Sequence, residues 1–105
     1  MTLRLPLAAV LLLSTTACTW VHMAPGAQAV RVLGAGAAPA GCTARGDVTV
    51  SVRATVALYE RNPLRVREEL ETLARNEAPG LGANAVQPLG EPREGEQVFR
   101  AYACP

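Results

Sequence analysis

The sequence predicts a small α+β domain: a sheet of about four strands, antiparallel or mixed, packed against one helix in the order β-β-α-β-β and tied by one disulfide. Three observations carry this expectation. Residues 46–59, "GDVTVSVRATVALY", alternate apolar and polar side chains with a period of two, the pattern of a strand with one buried and one wet face. Residues 62–82 read as one capped amphipathic helix with a glycine-rich stop. Cys42 and Cys104 bracket both segments.

The folded part is expected to begin at residue 29. In "AVRVL", Ala29 to Leu33, Val30 and Val32 flank Arg31 and read as a short first strand. "GAGAAPAG", residues 34–41, reads as a flexible turn leading to Cys42. In the second strand Val48, Val50 and Val52, and with them Ala54 and Val56, face one way, while Thr49, Ser51, Arg53 and Thr55 face the other. Asn62 supplies an N-cap acceptor, and Pro63 suits the first helical position, where no amide donor is required. Val66, Leu70, Leu73 and Ala74 recur at helical spacing and form one apolar stripe. Arg67–Glu71 and Glu71–Arg75 are spaced for i, i+4 ion pairs on the exposed side. Pro79 disfavours helical geometry at Ala78, and Gly80 or Gly82 suits the left-handed turn that ends such a segment. "ANAVQPL" and "EQVFRAYAC" are the third and fourth strands, the latter with Val98 and Arg100 on one face and Phe99 and Ala101 on the other. The polar "GEPREGE" joins them as a hairpin-like loop.

Ahead of the domain, the chain has the layout of an export signal. Arg4 gives a positive start, Leu5 to Leu13 an apolar run too short to span a bilayer, and Ser14 to Ala17 a string of small residues. Cys18 follows at once, as in bacterial lipoprotein signals, where the cysteine sulfur receives a diacylglycerol and the bond before it is cut. Thr15 departs from the Leu, Val or Ile usual three residues before that cysteine, and a conventional cleavage site near Cys18 is the competing reading. Residues 1–17 are therefore expected to be a signal peptide, Cys18 the lipidation site, 18–28 a lipidated tether and 29–105 the single domain. Trp20 suits the headgroup level or a plain tether equally well. His22, the one histidine, reads as a solvated tether residue.

The cysteines fit this layout. Three in an exported chain leave one over, unless Cys18 is acylated and Cys42 pairs with Cys104. An oxidising compartment closes such a pair, and chain-entropy reasoning assigns a loop of this size roughly 4 kcal/mol. A zinc site built from Cys42, Cys104 and His22 is the weaker alternative, because it lacks CxxC or HxxxH spacing. Neither a cofactor nor a metal is expected.

All ten basic residues are arginine, and nine acids bring the chain to a net charge of +1. The arginines are dispersed, so no basic field points to nucleic acid. Catalytic groupings are equally scarce. Ser51 lies in mid-strand and His22 in the tether, and no Ser-His-acid arrangement follows. Glu68, Glu69 and Glu71 are interleaved with arginines and read as a solvated helix face. "GAGAAPAG" lacks the Lys-Ser/Thr of a phosphate-binding loop and precedes a strand. The protein is not expected to be an enzyme.

"ACTWV", the "GC" at 41–42, "RNPLRVREELETLARNEA", "LGANAVQPL" and the final "AYAC" resemble the small bacterial lipoproteins grouped as domain of unknown function 4156. The resemblance covers essentially the whole mature chain, and the helix followed by Leu-Gly-Ala-Asn is its most specific part. Pro79 stands where a helix-compatible small residue is usual in that family. The resemblance implies a lipid-anchored envelope protein with a cysteine pair and no established activity. In architecture the chain is also similar to the disulfide-bearing outer-membrane lipoprotein that senses stress in the Rcs system, an analogy of fold alone. Thr19 is not the Asp that retains enteric lipoproteins at the inner membrane, so the expected location is the outer membrane, facing the periplasm. Two functions follow as expectations. One is a non-catalytic accessory or stress-related module, anchored in the membrane by its lipid and touching an envelope protein or the cell wall. The other is a small periplasmic inhibitor or ligand-binding lipoprotein, a class that is mostly β and lacks a helix like that at 63–78.

Overall fold

The computed structural model describes residues 21–56 and 59–105. The expected signal peptide 1–17, Cys18 and Trp20 lie outside the described residues. The elements are β1 (Arg31–Val32), β2 (Thr43–Ser51), β3 (Thr55–Val56), β4 (Tyr59–Glu60), α1 (Pro63–Glu77), β5 (Ala85–Pro88) and β6 (Glu96–Ala103). Four strands form a mixed sheet in the order β1-β5-β6-β2, and β3 and β4 form a separate hairpin. Only β1 with β5 is parallel within the sheet; β5–β6 and β6–β2 are antiparallel. The α+β class and the β-β-α-β-β order are as expected, with the hairpin added.

The core follows from the alternation. Val86 of β5, Phe99 and Ala101 of β6 and Val50 of β2 meet Val66, Leu70 and Ala74 of α1, with Val48, Val52 and Leu73 packed beside them. Phe99, Leu70 and Val86 are the largest side chains fully withdrawn from water, each worth about 1.5–3 kcal/mol in burial.

The helix begins and stops with the residues its sequence indicates, except that Pro79 does not move Ala78 out of helical geometry: Ala78 keeps φ −57° and ψ −44° and donates to the Ala74 carbonyl. Asn62 Oδ1 accepts from the N–H groups of Leu64 and Arg65, satisfying donors that the first turn leaves without helical partners. At the other end a 3-10 turn, Ala78–Leu81, runs into Gly82, which takes the left-handed conformation at φ 70°. The spaced ion pairs on the helix do not form as expected. Arg67 pairs with Glu91, and Arg75 donates to the carbonyls of Ala27 and Gln28, so partners from other elements displace the weak pairs along the helix.

The long second strand is divided. β2 starts earlier than expected, at Thr43, passes an irregularity between Ala44 and Gly46, and ends at Ser51. The break is imposed by the turn that precedes β6. Glu94 and Gly95 have φ 51° and 77°, and Arg93 and Glu96 exchange backbone hydrogen bonds around them, as in a two-residue turn with positive φ at both centres. Gly95 accepts from Val52 N–H at 2.8 Å, and a Cβ on it would lie 2.1 Å from the Val52 carbonyl oxygen. The chain then leaves the sheet, forms the β3–β4 hairpin and returns with Arg61 N–H donating to the Ala54 carbonyl.

"GAGAAPAG" forms bends and a turn, as expected, and it also covers part of the sheet. Ala85, Gln87 and Tyr102 share the sheet face opposite α1 and are nevertheless buried. Gln87 Nε2 donates to the carbonyls of Gly34 and Ala37 at 3.0 and 3.1 Å, which pins the 34–41 loop over that face. The bridge between Cys42 and Cys104, 62 positions apart, closes the end of this cover.

Candidate interaction groove

An open groove of about 1110 Å³ runs along one side of the domain. Its walls are residues 53–55 and 60–61 at the base of the hairpin, the first turn of α1 and the 91–95 turn. Arg61 positions the hairpin wall. Its guanidinium donates to both carboxylate oxygens of Glu69, at 2.9 and 2.6 Å, and to the Arg53 carbonyl at 2.9 Å. This forked pairing gives direction as well as strength, and it joins the root of the hairpin to the second turn of the helix. Glu69 is only 8% exposed. Such a carboxylate is tolerated in the interior because each of its oxygens has a charged donor.

The burial of Glu69 corrects the solvated-face reading. Glu68 is exposed and Glu71 half-buried, but Glu69 sits beside the apolar stripe. Its spacing held the signal: Glu69 lies three residues after Val66, on the same side of the helix. The groove itself was not legible as a site. Its rim mixes apolar and charged groups, with Leu64 67% exposed and Tyr59, next to the lining residue Glu60, 77% exposed. Arg53, Glu94 and the Arg67–Glu91 pair supply charges of both signs.

The other sequence-predicted residues fall elsewhere. Cys42 and Cys104 are joined, with Cα atoms 4.3 Å apart, so the zinc alternative with His22 loses its two thiolates. Among the described residues, no group of three or more His, Cys, Asp or Glu side chains is placed to hold a metal ion. His22 is exposed near the C-terminal half of α1 through its carbonyl, and Ser51 is exposed at the end of β2. Neither lines the groove. On the sheet face opposite α1, Asp47 and Arg100 are directly cross-strand and hydrogen-bonded, at 2.8 and 3.3 Å. That bond holds the Asp47 carboxyl below its ordinary value of 3.8, outweighing desolvation, and the guanidinium charge adds to it.

These features define a class: among the described residues, an α+β domain with a mixed sheet packed on one α-helix and closed by a bridge from the loop before β2 to the end of β6. The chain belongs to the family described as Domain of unknown function (DUF4156), whose model matches residues 21–104. No curated protein and no solved structure matches the chain. Among the described residues, no helix is long and apolar enough to cross a membrane.

Proposed function

We propose that this protein is a non-catalytic component of the bacterial envelope, anchored through acylated Cys18 in the outer membrane and facing the periplasm, which acts by contact. Its partner is a polypeptide segment of another envelope protein, taken up along the groove beside the β3–β4 hairpin. The observation that carries this reading is the Arg61–Glu69 fork, a half-buried pair whose structural consequence is to hold out a two-stranded hairpin bearing an exposed tyrosine. Exposed aromatic side chains anchor protein interfaces, and a short hairpin offers free main-chain groups to an added strand. The apolar run ending at Cys18 supports the anchor. Helix α1 favours a contact module over the mostly β inhibitor class.

The test is complementation of a strain lacking the protein. Cys18→Ala and Tyr59→Ala should each fail to restore function while the domain stays folded. His22→Ala and Ser51→Ala, which remove the histidine and the one serine of the mature chain, should restore it fully. A folded but inactive His22→Ala or Ser51→Ala variant would overturn the non-catalytic reading.

A further inference from the structure

The stretch that the sequence assigns to a tether is fastened to the helix. Asn76 uses both ends of its amide: Nδ2 donates to the His22 carbonyl at 2.8 Å, and Oδ1 accepts from Ala24 N–H at 2.7 Å. Its neighbour Arg75 reaches on along the same segment, donating to the carbonyls of Ala27 and Gln28 at 3.2 and 3.0 Å. Between these clamps Ala27 is fully buried at the start of a 3-10 turn, Ala27–Ala29. Side-chain donors and acceptors thus hold the backbone from His22 to Gln28 against the C-terminal half of α1.

Chain length turns this clamp into a constraint. Cys18 lies four positions before His22, a reach of at most about 14 Å when fully extended. An acyl chain on Cys18 therefore leaves the domain little freedom to swing. The groove lies at the other end of α1, and the 14 steps from Asn62 to Asn76 span about 21 Å of helix. The docked segment is also compatible with a headgroup surface. From Cys18 to Gly46 the chain carries Arg31 and Arg45 and no Asp or Glu, so nothing in it repels anionic lipid.

We infer that the Asn76–Arg75 clamp sets the orientation of the domain on the bilayer, turning the docked segment 22–28 toward the phospholipid headgroups and the groove toward the periplasm. The inference rests on acylation of Cys18 and adds the face that meets the membrane. The clamped segment is a mount.

The experiment uses the full-length lipidated protein in phosphatidylethanolamine–phosphatidylglycerol vesicles, with a photo-crosslinking amino acid at Gln28 or at Tyr59 and mass spectrometry of the products. Lipid adducts should form several-fold more at Gln28 than at Tyr59. The double variant Arg75→Ala/Asn76→Ala, shown by its circular dichroism and intact bridge to be folded, should bring the two yields together. Equal yields in the clamped protein, a higher yield at Tyr59, or a Gln28 excess that the double variant retains would overturn the inference. The acyl mass on Cys18 is measured in the same samples. If it is absent, the anchoring reading and the inference both fail; if it is present and the clamped protein gives equal yields, the inference alone fails.

Discussion

Asn84 holds Cys104 by both ends of its amide: Nδ2 donates to the Cys104 carbonyl, and Oδ1 accepts the Cys104 N–H, each at 2.7 Å. Its own backbone N–H donates to the Tyr102 carbonyl. The side chain therefore behaves as one more rung of the β5–β6 ladder and carries the C-terminal cysteine to the point where Cys42 arrives. This is the physical content of Leu-Gly-Ala-Asn at 81–84. Gly82 makes the left-handed turn, Ala83 fits the core and Asn84 sets the register of the bridge.

Asn84→Ala should lower stability by about 1–3 kcal/mol, since two hydrogen bonds to one backbone unit are lost. It should also slow formation of the native bridge during oxidative refolding, read by alkylation of free thiols. Cys42→Ala should cost roughly 4 kcal/mol, mainly by releasing the unfolded chain. Urea midpoints of the single and double variants check both figures. The two costs should be less than additive, because Asn84 and the bridge hold the same residue.

Arg61→Ala should cost about 3 kcal/mol, because it leaves the Glu69 carboxylate buried without its partner. Replacing both, Arg61→Ala with Glu69→Ala, should recover part of that loss. Hydrogen exchange should accelerate first in the hairpin, whose root Arg61 ties to the helix. A uniform change across the domain would argue against Arg61 as the hairpin's brace.

How far the sequence could be read depends on where the cause of each feature lies. Helix α1 was legible because its cap, its proline and its apolar stripe are all local. The end of β2 was not, because Gly95 causes it from a distant turn. The cover over the second sheet face had one visible signal, the polar Gln87 inside an apolar strand, whose partners are the carbonyls of a loop that looked free. Asn76 had none: an asparagine near a helix end reads as surface, and only the docked backbone of His22 and Ala24 gives it a role. The candidate groove was illegible for a similar reason. Leu64 on its wall and Tyr59 beside it sit in segments where the sequence pattern assigns a helix start and a strand end.

Acid should weaken the domain partly through Asp47. The folded state lowers its pKa, so the Asp47–Arg100 pair contributes stability that is fully present above the unfolded carboxylate's range and is lost as pH falls through the lowered folded value. Asp47→Asn should therefore be less stable than wild type at neutral pH, by a margin that narrows below the ordinary value of 3.8. Added salt should shrink the same margin, because the pair lies on the surface. Melting temperatures of the two proteins across pH check the sign, and a margin that widens in acid would contradict it.

The mass of the mature N-terminus tests most directly the proposal that this domain works from a lipid anchor at Cys18. Protein extracted from the membrane fraction of the native organism should yield an N-terminal peptide that begins at Cys18 and carries diacylglycerol. A mature protein that is soluble in the periplasm, or one that retains Met1, would contradict the account.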